Sequence, residues 1–232
     1  MVEQTAEPSV YEGKSRLELQ QMFVEMAKEI LSKKADVPIV QEDPAKGFVL
    51  RQQWDYTDNS PLGIFDYRCD ELLPAAFIAG FKDWVNLAPM APLGVTMTLL
   101  EQVDGFDIIR QFTPAPWGSM MANRSVISCM YLISDATNPE SFTMIVTSLG
   151  NEQFEKKYTD NGLLAGDVIA MTFAYWHVDA VKDADGKTVG TQITLIGKLK
   201  PNGWIPNLAL STIQARQAQS IDMVIDAIKK RT

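Results

Sequence analysis

The 232-residue chain is poor in the groups from which most catalytic sites are built. It has one histidine, His177, and two cysteines, Cys69 and Cys129. A metal centre would have to rest on carboxylates and those two thiols. At most one disulfide can form, which excludes a disulfide scaffold, and because both cysteines lie in strand-like runs, free buried thiols are expected. No His-Glu-x-x-His, Gly-x-Ser-x-Gly, Gly-x-Gly-x-x-Gly or P-loop spacing occurs. Positive charge is short as well: 21 basic residues against 29 acidic ones leave a net charge of -8. A nucleic-acid binder needs a concentrated basic surface, so that class is set aside. The longest near-continuous apolar run, Val168–Trp176, falls far short of the ~20 residues of a membrane span. The N-terminus has neither the basic nor the apolar segment of a signal peptide. These absences fit a cytoplasmic chain with no cofactor.

Hydrophobic residues make up 46% of the chain, enough for a sizeable core. No repeat or Pro/Gly/Ser-rich linker divides it, so one domain is expected over 15–232, behind a mobile tail over 1–14. Ser15, with Glu18 three residues on, forms a capping box. Leu19, Met22, Phe23, Met26, Ala27, Ile30 and Leu31 then follow helical spacing, predicting a helix over 15–34. Two β-rich runs, Phe48–Thr57 and Leu62–Leu72, flank a turn cluster. Pro74 opens a second helix to about Leu87, stopped by Pro89 and Pro92. Asp104-Gly105 is a strong hairpin signal between Val95–Val103 and Phe106–Thr113. Further strands are expected over Ser125–Ile133, Phe142–Gly150, Val168–Val181 and Val189–Lys200. The Asp183-Ala-Asp-Gly-Lys segment begins like a calcium loop but has no glutamate at the required spacing, so it reads as a plain turn. A last helix, about 205–230, carries an apolar stripe interrupted by Arg216, Gln217 and Ser220. Short strands joined by hairpins, with helices at both ends, make the class α+β with one antiparallel sheet.

A two-residue turn at Asp104-Gly105 pairs Val103 with Phe106, Glu101 with Ile108 and Leu99 with Arg110. Met97, Leu99, Glu101, Val103, Ile108, Arg110 and Phe112 then share one face, with Glu101 diagonal to Arg110. Two arrangements fit an acid and a base on an apolar face: a peripheral surface pair, or a buried pair that meets a ligand's polar head. His177, beside Tyr175 and Trp176 in a strand, reads first as a packed sheet residue.

Two segments carry a family resemblance: Thr113-Pro-Ala-Pro-Trp-Gly-Ser-Met-Met-Ala-Asn-Arg and Lys200-Pro-Asn-Gly-Trp-Ile-Pro. In these, and in element order from about 15 to 230, the chain resembles the START (StAR-related lipid transfer) family. Ser125 stands where the family has Asp after Asn-Arg, and Lys200 replaces the usual Asp, while Gly203-Trp204-Ile205-Pro206 is intact. The resemblance implies a helix-grip fold, a curved antiparallel sheet wrapped around the long C-terminal helix with an internal hydrophobic cavity for one lipid. It implies access near that helix and the 134–141 loop, and a lid role for the helix, bringing Leu208 and Thr212 to the ligand. Counting from Arg124, the family's cavity acid falls on Gln111 and its arginine partner on Met130. The aromatic positions of choline-binding members fall on Thr113 and Val126, so neither head-group set is reproduced. This count turns Gln111 and Thr113 to the cavity, whereas the hairpin pattern turns Glu101, Arg110 and Phe112 there. Met97, Met130 and Met171 suit an adaptable lining. The function implied is non-enzymatic binding and transfer of a phospholipid, sterol, fatty acid, pigment or other apolar small molecule. Membrane contact would be transient and the chain a monomer. Two alternatives remain: a helix-grip enzyme of the aromatic polyketide cyclase type, using His177, Tyr175, Glu101 and Arg110, or an interaction module with a vestigial cavity.

Overall fold

The computed structural model describes residues 11–55, 60–103, 105–115, 122–203 and 219–231. The first helix, α1 (Arg16–Ser32), starts at the expected capping box: Ser15 Oγ accepts from the Glu18 amide, and the Glu18 carboxylate accepts from the Ser15 amide at 2.7 Å. Its buried stripe is Leu19, Phe23 and Ala27. Part of the expected tail is seated on this helix, with the Tyr11 ring 6.1 Å from that of Phe23. Residues 1–10 lie outside the described set.

The strands are β1 (Ile39–Asp43), β2 (Phe48–Asp55), β3 (Ser60–Cys69), β4 (Thr96–Val103), β5 (Phe106–Thr113), β6 (Arg124–Ser134), β7 (Phe142–Thr147), β8 (Val168–Ile169), β9 (Met171–Lys182) and β10 (Thr188–Lys200). Among the described residues they form one sheet in the order β1-β2-β3-β10-β9-β7-β6-β5-β4, every pairing along it antiparallel. The short β8 pairs parallel with β6 outside that path. The remaining helices are α2 (Pro74–Lys82), α3 (Trp84–Leu87), α4 (Glu152–Asp160) and α5, residues 219–229.

Four elements depart from expectation. The single helix expected over 75–87 is broken at Asp83, whose φ of -114° leaves the helical region. Its carboxylate accepts from Asn86 Nδ2 at 2.6 Å and from Arg231, so the side chain competes with helix continuation. Strand β1 is an edge with Ile39 and Val40 exposed, so it lacks the alternation that marks a half-buried strand. Helix α4 has no counterpart among the expected elements. The strand expected from Val168 is split, its first two residues pairing with β6 instead of continuing β9. The 183–187 turn is plain, as read: Asp183 accepts from the amides of Asp185 and Lys187.

The two sides of the sheet bury separate cores. On the inner side Phe48, Leu50, Phe65, Ile109, Met130, Met144, Trp176, Val178 and Ile193 pack with α2, α3 and α5. On the outer side Ile64, Ile108, Cys129, Tyr131, Ile145, Phe173 and Tyr175 pack with α1 and α4. Cys69 belongs to the inner core and Cys129 to the outer, so the sheet keeps the two free thiols apart. Of the expected last helix, Ile221, Val224, Ile225 and Ile228 are buried in the inner core. The rest of its stripe, with Leu208 and Thr212, lies outside the described residues.

Candidate ligand-binding face

Strand alternation decides which side chains can meet a ligand held between the sheet and the C-terminal segment. The hairpin begins as predicted, with Val103 opposite Phe106 and Glu101 opposite Ile108. A β-bulge then intervenes, and Leu99 faces Ile109 while Thr98 faces Arg110. The extra residue reverses the facing of the strand. Met97 and Leu99 therefore share the inner face with Ile109, while Glu101 goes to the outer face with Ile108. The single face expected for Met97, Leu99, Glu101, Arg110 and Phe112 does not exist.

The expected Glu101–Arg110 pair is also absent, because each residue has another partner. Glu101 accepts from Lys157 and from the Tyr158 hydroxyl, both on α4. Those bonds lower its pKa, and burial with the same contact raises that of Tyr158. Arg110 donates from Nη2 to Asp167 at 2.8 Å and from Nε to Ser125 Oγ at 3.0 Å, and its guanidinium lies 5.2 Å from the Phe112 ring. Tyr175 stacks on His177 at 6.2 Å on the outer side, and burial raises its pKa. Met171 has the same parity in β9 as Phe173 and Tyr175 and falls on that side too. His177 is held by Thr143 Oγ1 at 2.9 Å and by Asp179 Oδ2 at 2.8 Å. Of the four groups of the enzyme alternative, Tyr175 and His177 stack together on the outer side, while Glu101 and Arg110 are each engaged by other partners.

The inner face keeps Met97, Leu99, Gln111, Thr113 and Met130. Gln111 is paired with Met97 on one side and Val126 on the other, and Thr113 with Arg124. Sequence reading missed Ser128, opposite Ile109 and two residues before Met130. Ser128 is 1% exposed, and its hydroxyl finds no hydrogen-bond partner. Alternation along β6 would have placed it inside, but nothing in the sequence says that its hydroxyl is left unpaired. Among the described residues no three His, Cys, Asp or Glu side chains are grouped to hold a metal, and no helix is long and apolar enough to cross a membrane.

The sequence matches no protein-family profile and no curated protein. Solved structures do match. Human STARD10 aligns with a TM-score of 0.65 at 12% identity, over 90% of this chain and 79% of that one. Human StAR-related lipid transfer protein 5 gives 0.60 at 12% identity, over 91% and 98%. A STAR-related lipid transfer protein fragment from Xanthomonas axonopodis gives 0.59 at 16%, over 84% and 97%. The fold is START-like.

The START-like, helix-grip arrangement brings the two resemblance segments into contact. Arg124 is 8% exposed and donates to the carbonyls of Ala122 and Asn202, the latter 78 residues away in sequence. Burial lowers its pKa. Asn202, in the left-handed region at φ 48°, donates from Nδ2 to Ile169 O at 2.8 Å, and Gly203 follows at φ 65°. A Cβ on Gly203 would lie 3.2 Å from Val168. In this START-like chain the junction fixes where the backbone leaves β10. The 134–141 loop is closed on itself, Asp135 Oδ1 accepting from the amides of Thr137 and Asn138. The Trp204-Ile205-Pro206 part of the second segment lies outside the described residues.

Proposed function

We propose that the chain is a non-enzymatic carrier that binds one lipid or similar apolar molecule against the inner face and exchanges it with membranes, acting as a monomer in the cytoplasm. The observation that carries this reading is the inner face itself: over β5–β7 its centre is built from Ile109, Val126, Met130, Met144 and Val146 with uncharged Gln111, Thr113 and Ser128 among them, while the charged Asp107 and Arg124 stand at its ends. It belongs to a fold shared with proteins named for lipid transfer. Met97, Leu99, Gln111, Thr113 and Met130 are the proposed lining, joined by Leu208 and Thr212 from the C-terminal segment. The driving force is removal of apolar surface from water, ~0.8 kcal/mol per CH₂, or about 13 kcal/mol for a sixteen-carbon chain before the cost of ordering it.

Exchange requires the C-terminal segment to move as a gate over that face. Its cations contribute little to membrane docking on this reading. The 205–232 stretch carries Arg216, Lys229, Lys230 and Arg231 against Asp222 and Asp226, a net +2. However, Lys229 pairs with Glu71 and Arg231 with Asp83. The test is native mass spectrometry of the protein before and after incubation with mixed-lipid vesicles, with extraction of the adduct. One lipid per chain is expected, and no adduct with phospholipid, sterol, fatty acid or pigment would refute carriage.

A further inference from the structure

Buried hydroxyls in folded proteins are nearly always hydrogen-bonded, so each exception calls for a reason. Ser128 is such an exception in the middle of the inner face, where alanine would pack without stranding a polar group. We propose that Ser128 is the polar anchor for the bound molecule and that the group it holds is an uncharged lipid hydroxyl, making the ligand a neutral lipid rather than a fatty-acid anion or a phospholipid. The inference rests on the carrier reading above.

A serine hydroxyl donates one hydrogen bond and accepts others, the complement of a neutral alcohol. Across β5 its polar companion on this face is Gln111. Ile109 stands opposite Ser128 and Val126 opposite Gln111, so the two polar residues are diagonal neighbours across β5 and β6. Diagonal neighbours of this kind lie about 7–8 Å apart, with their Cβ atoms somewhat closer, a gap that one head oxygen between them spans with the reach of the glutamine amide. Met97, Ile109, Val126 and Met130 surround the pair with apolar surface. An anionic head would need a cation at this point. Arg124 lies four residues back along β6, about 13 Å away, with its guanidinium on the carbonyls of Ala122 and Asn202. The other charge of these strands on the inner parity is Asp107, which repels an anion.

Sixteen-carbon probes that differ only at the head test this directly. Hexadecanol, hexadecane and palmitate are offered separately in phosphatidylcholine vesicles to wild type and Ser128→Ala, with bound species identified by native mass spectrometry. Cholesterol and monopalmitoylglycerol arms separate a sterol from an acylglycerol source of the hydroxyl. Wild type is expected to take hexadecanol in preference to palmitate and phosphatidylcholine. Ser128→Ala should weaken hexadecanol binding about 5- to 10-fold, the effect of one neutral hydrogen bond. Hexadecane binding should change less than about twofold, which also shows that the variant is folded. Equal hexadecanol binding by both proteins overturns the anchor. Uptake of palmitate or phosphatidylcholine with hexadecanol excluded overturns the neutral head but leaves carriage standing, whereas no uptake of any species removes carriage and the anchor together.

Discussion

Replacing Gly80 with alanine measures how tightly the C-terminal helix is seated. Gly80 lies in α2, and a Cβ built there would meet Ile228 Cγ1 at 2.9 Å, Ile228 Cδ1 at 3.2 Å and Leu87 Cδ2 at 3.5 Å. Ile228 is 2% exposed, so its side chain has no solvent to swing into. Two effects of opposite sign compete. Alanine gains up to about 1 kcal/mol over glycine within a helix. Forcing a methyl into a filled core costs about 1–3 kcal/mol. The contact falls just inside the ~3.0 Å that real Cβ atoms keep, and a buried Ile228 has little room to yield, so overpacking wins and a net loss of about 1 kcal/mol is expected. Ile228→Ala alone should cost about 2–5 kcal/mol through the cavity it leaves. In the double variant the new methyl enters that cavity, so the two losses should fall short of additive by at least about 1 kcal/mol. Urea unfolding at unchanged m-value reads all four proteins. A Gly80→Ala variant more stable than wild type by the full helix-propensity increment, with additive losses, would refute the close seating of α5 on α2. If the carrier reading holds, the same variant should also release bound lipid faster.

Other expectations follow from particular contacts. Asn151 is fully buried, donating to the carbonyls of Ile127 at 3.3 Å and Thr147 at 2.8 Å and accepting from Arg16 at 3.1 Å. Asn151→Ala strands those groups and should cost about 2 kcal/mol, lowering Tm by about 4–8 °C in thermal melts. Ser128→Ala, in the absence of lipid, should raise stability by about 1 kcal/mol because it removes an unpaired buried hydroxyl, and a loss of that size in urea would contradict the reading. Burial pushes the Cys129 thiol from 9.0 up to about 11 and the Tyr131 hydroxyl from 10.0 up to about 12. Both pKa values are raised in the folded state, so their contribution is fully present below pH ~9 and is lost as pH rises to ~12. Unfolding by alkali should therefore begin above pH ~9, and native Cys129 should resist alkylation at pH 8 while urea-unfolded protein reacts.

The sequence carried the fold further than it carried the site. The α1 capping box, the first two pairs of the hairpin and the antiparallel order were legible because each rests on local chemistry: a cap, a turn dipeptide, an alternating run. Strand β1 was not, because an exposed edge strand has no buried side to impose alternation. The face of the hairpin was misread for a different reason. A bulge between Leu99 and Glu101 leaves no mark in residue type, yet it sends Glu101 to the side opposite Leu99. Counting from Arg124 along β5 and β6, which pair without interruption, placed Gln111, Thr113 and Met130 together on the inner face. Ser128 escaped because an unmet hydrogen bond is a property of the surroundings, not of the residue.

The junction of Arg124 with Asn202 has a mechanical meaning. Two successive left-handed residues, tied by side-chain and main-chain bonds to β6 and β8, set the direction in which the chain departs from the sheet. They act as a fixed fulcrum. On the proposal that the C-terminal segment gates the inner face, opening beyond that point need break no rung of the sheet ladder, and its work falls on the apolar contacts of Ile221, Val224, Ile225 and Ile228. The stiffness of such a gate would then be set by those four side chains and the floor beneath them, and its hinge could be altered separately at Gly203.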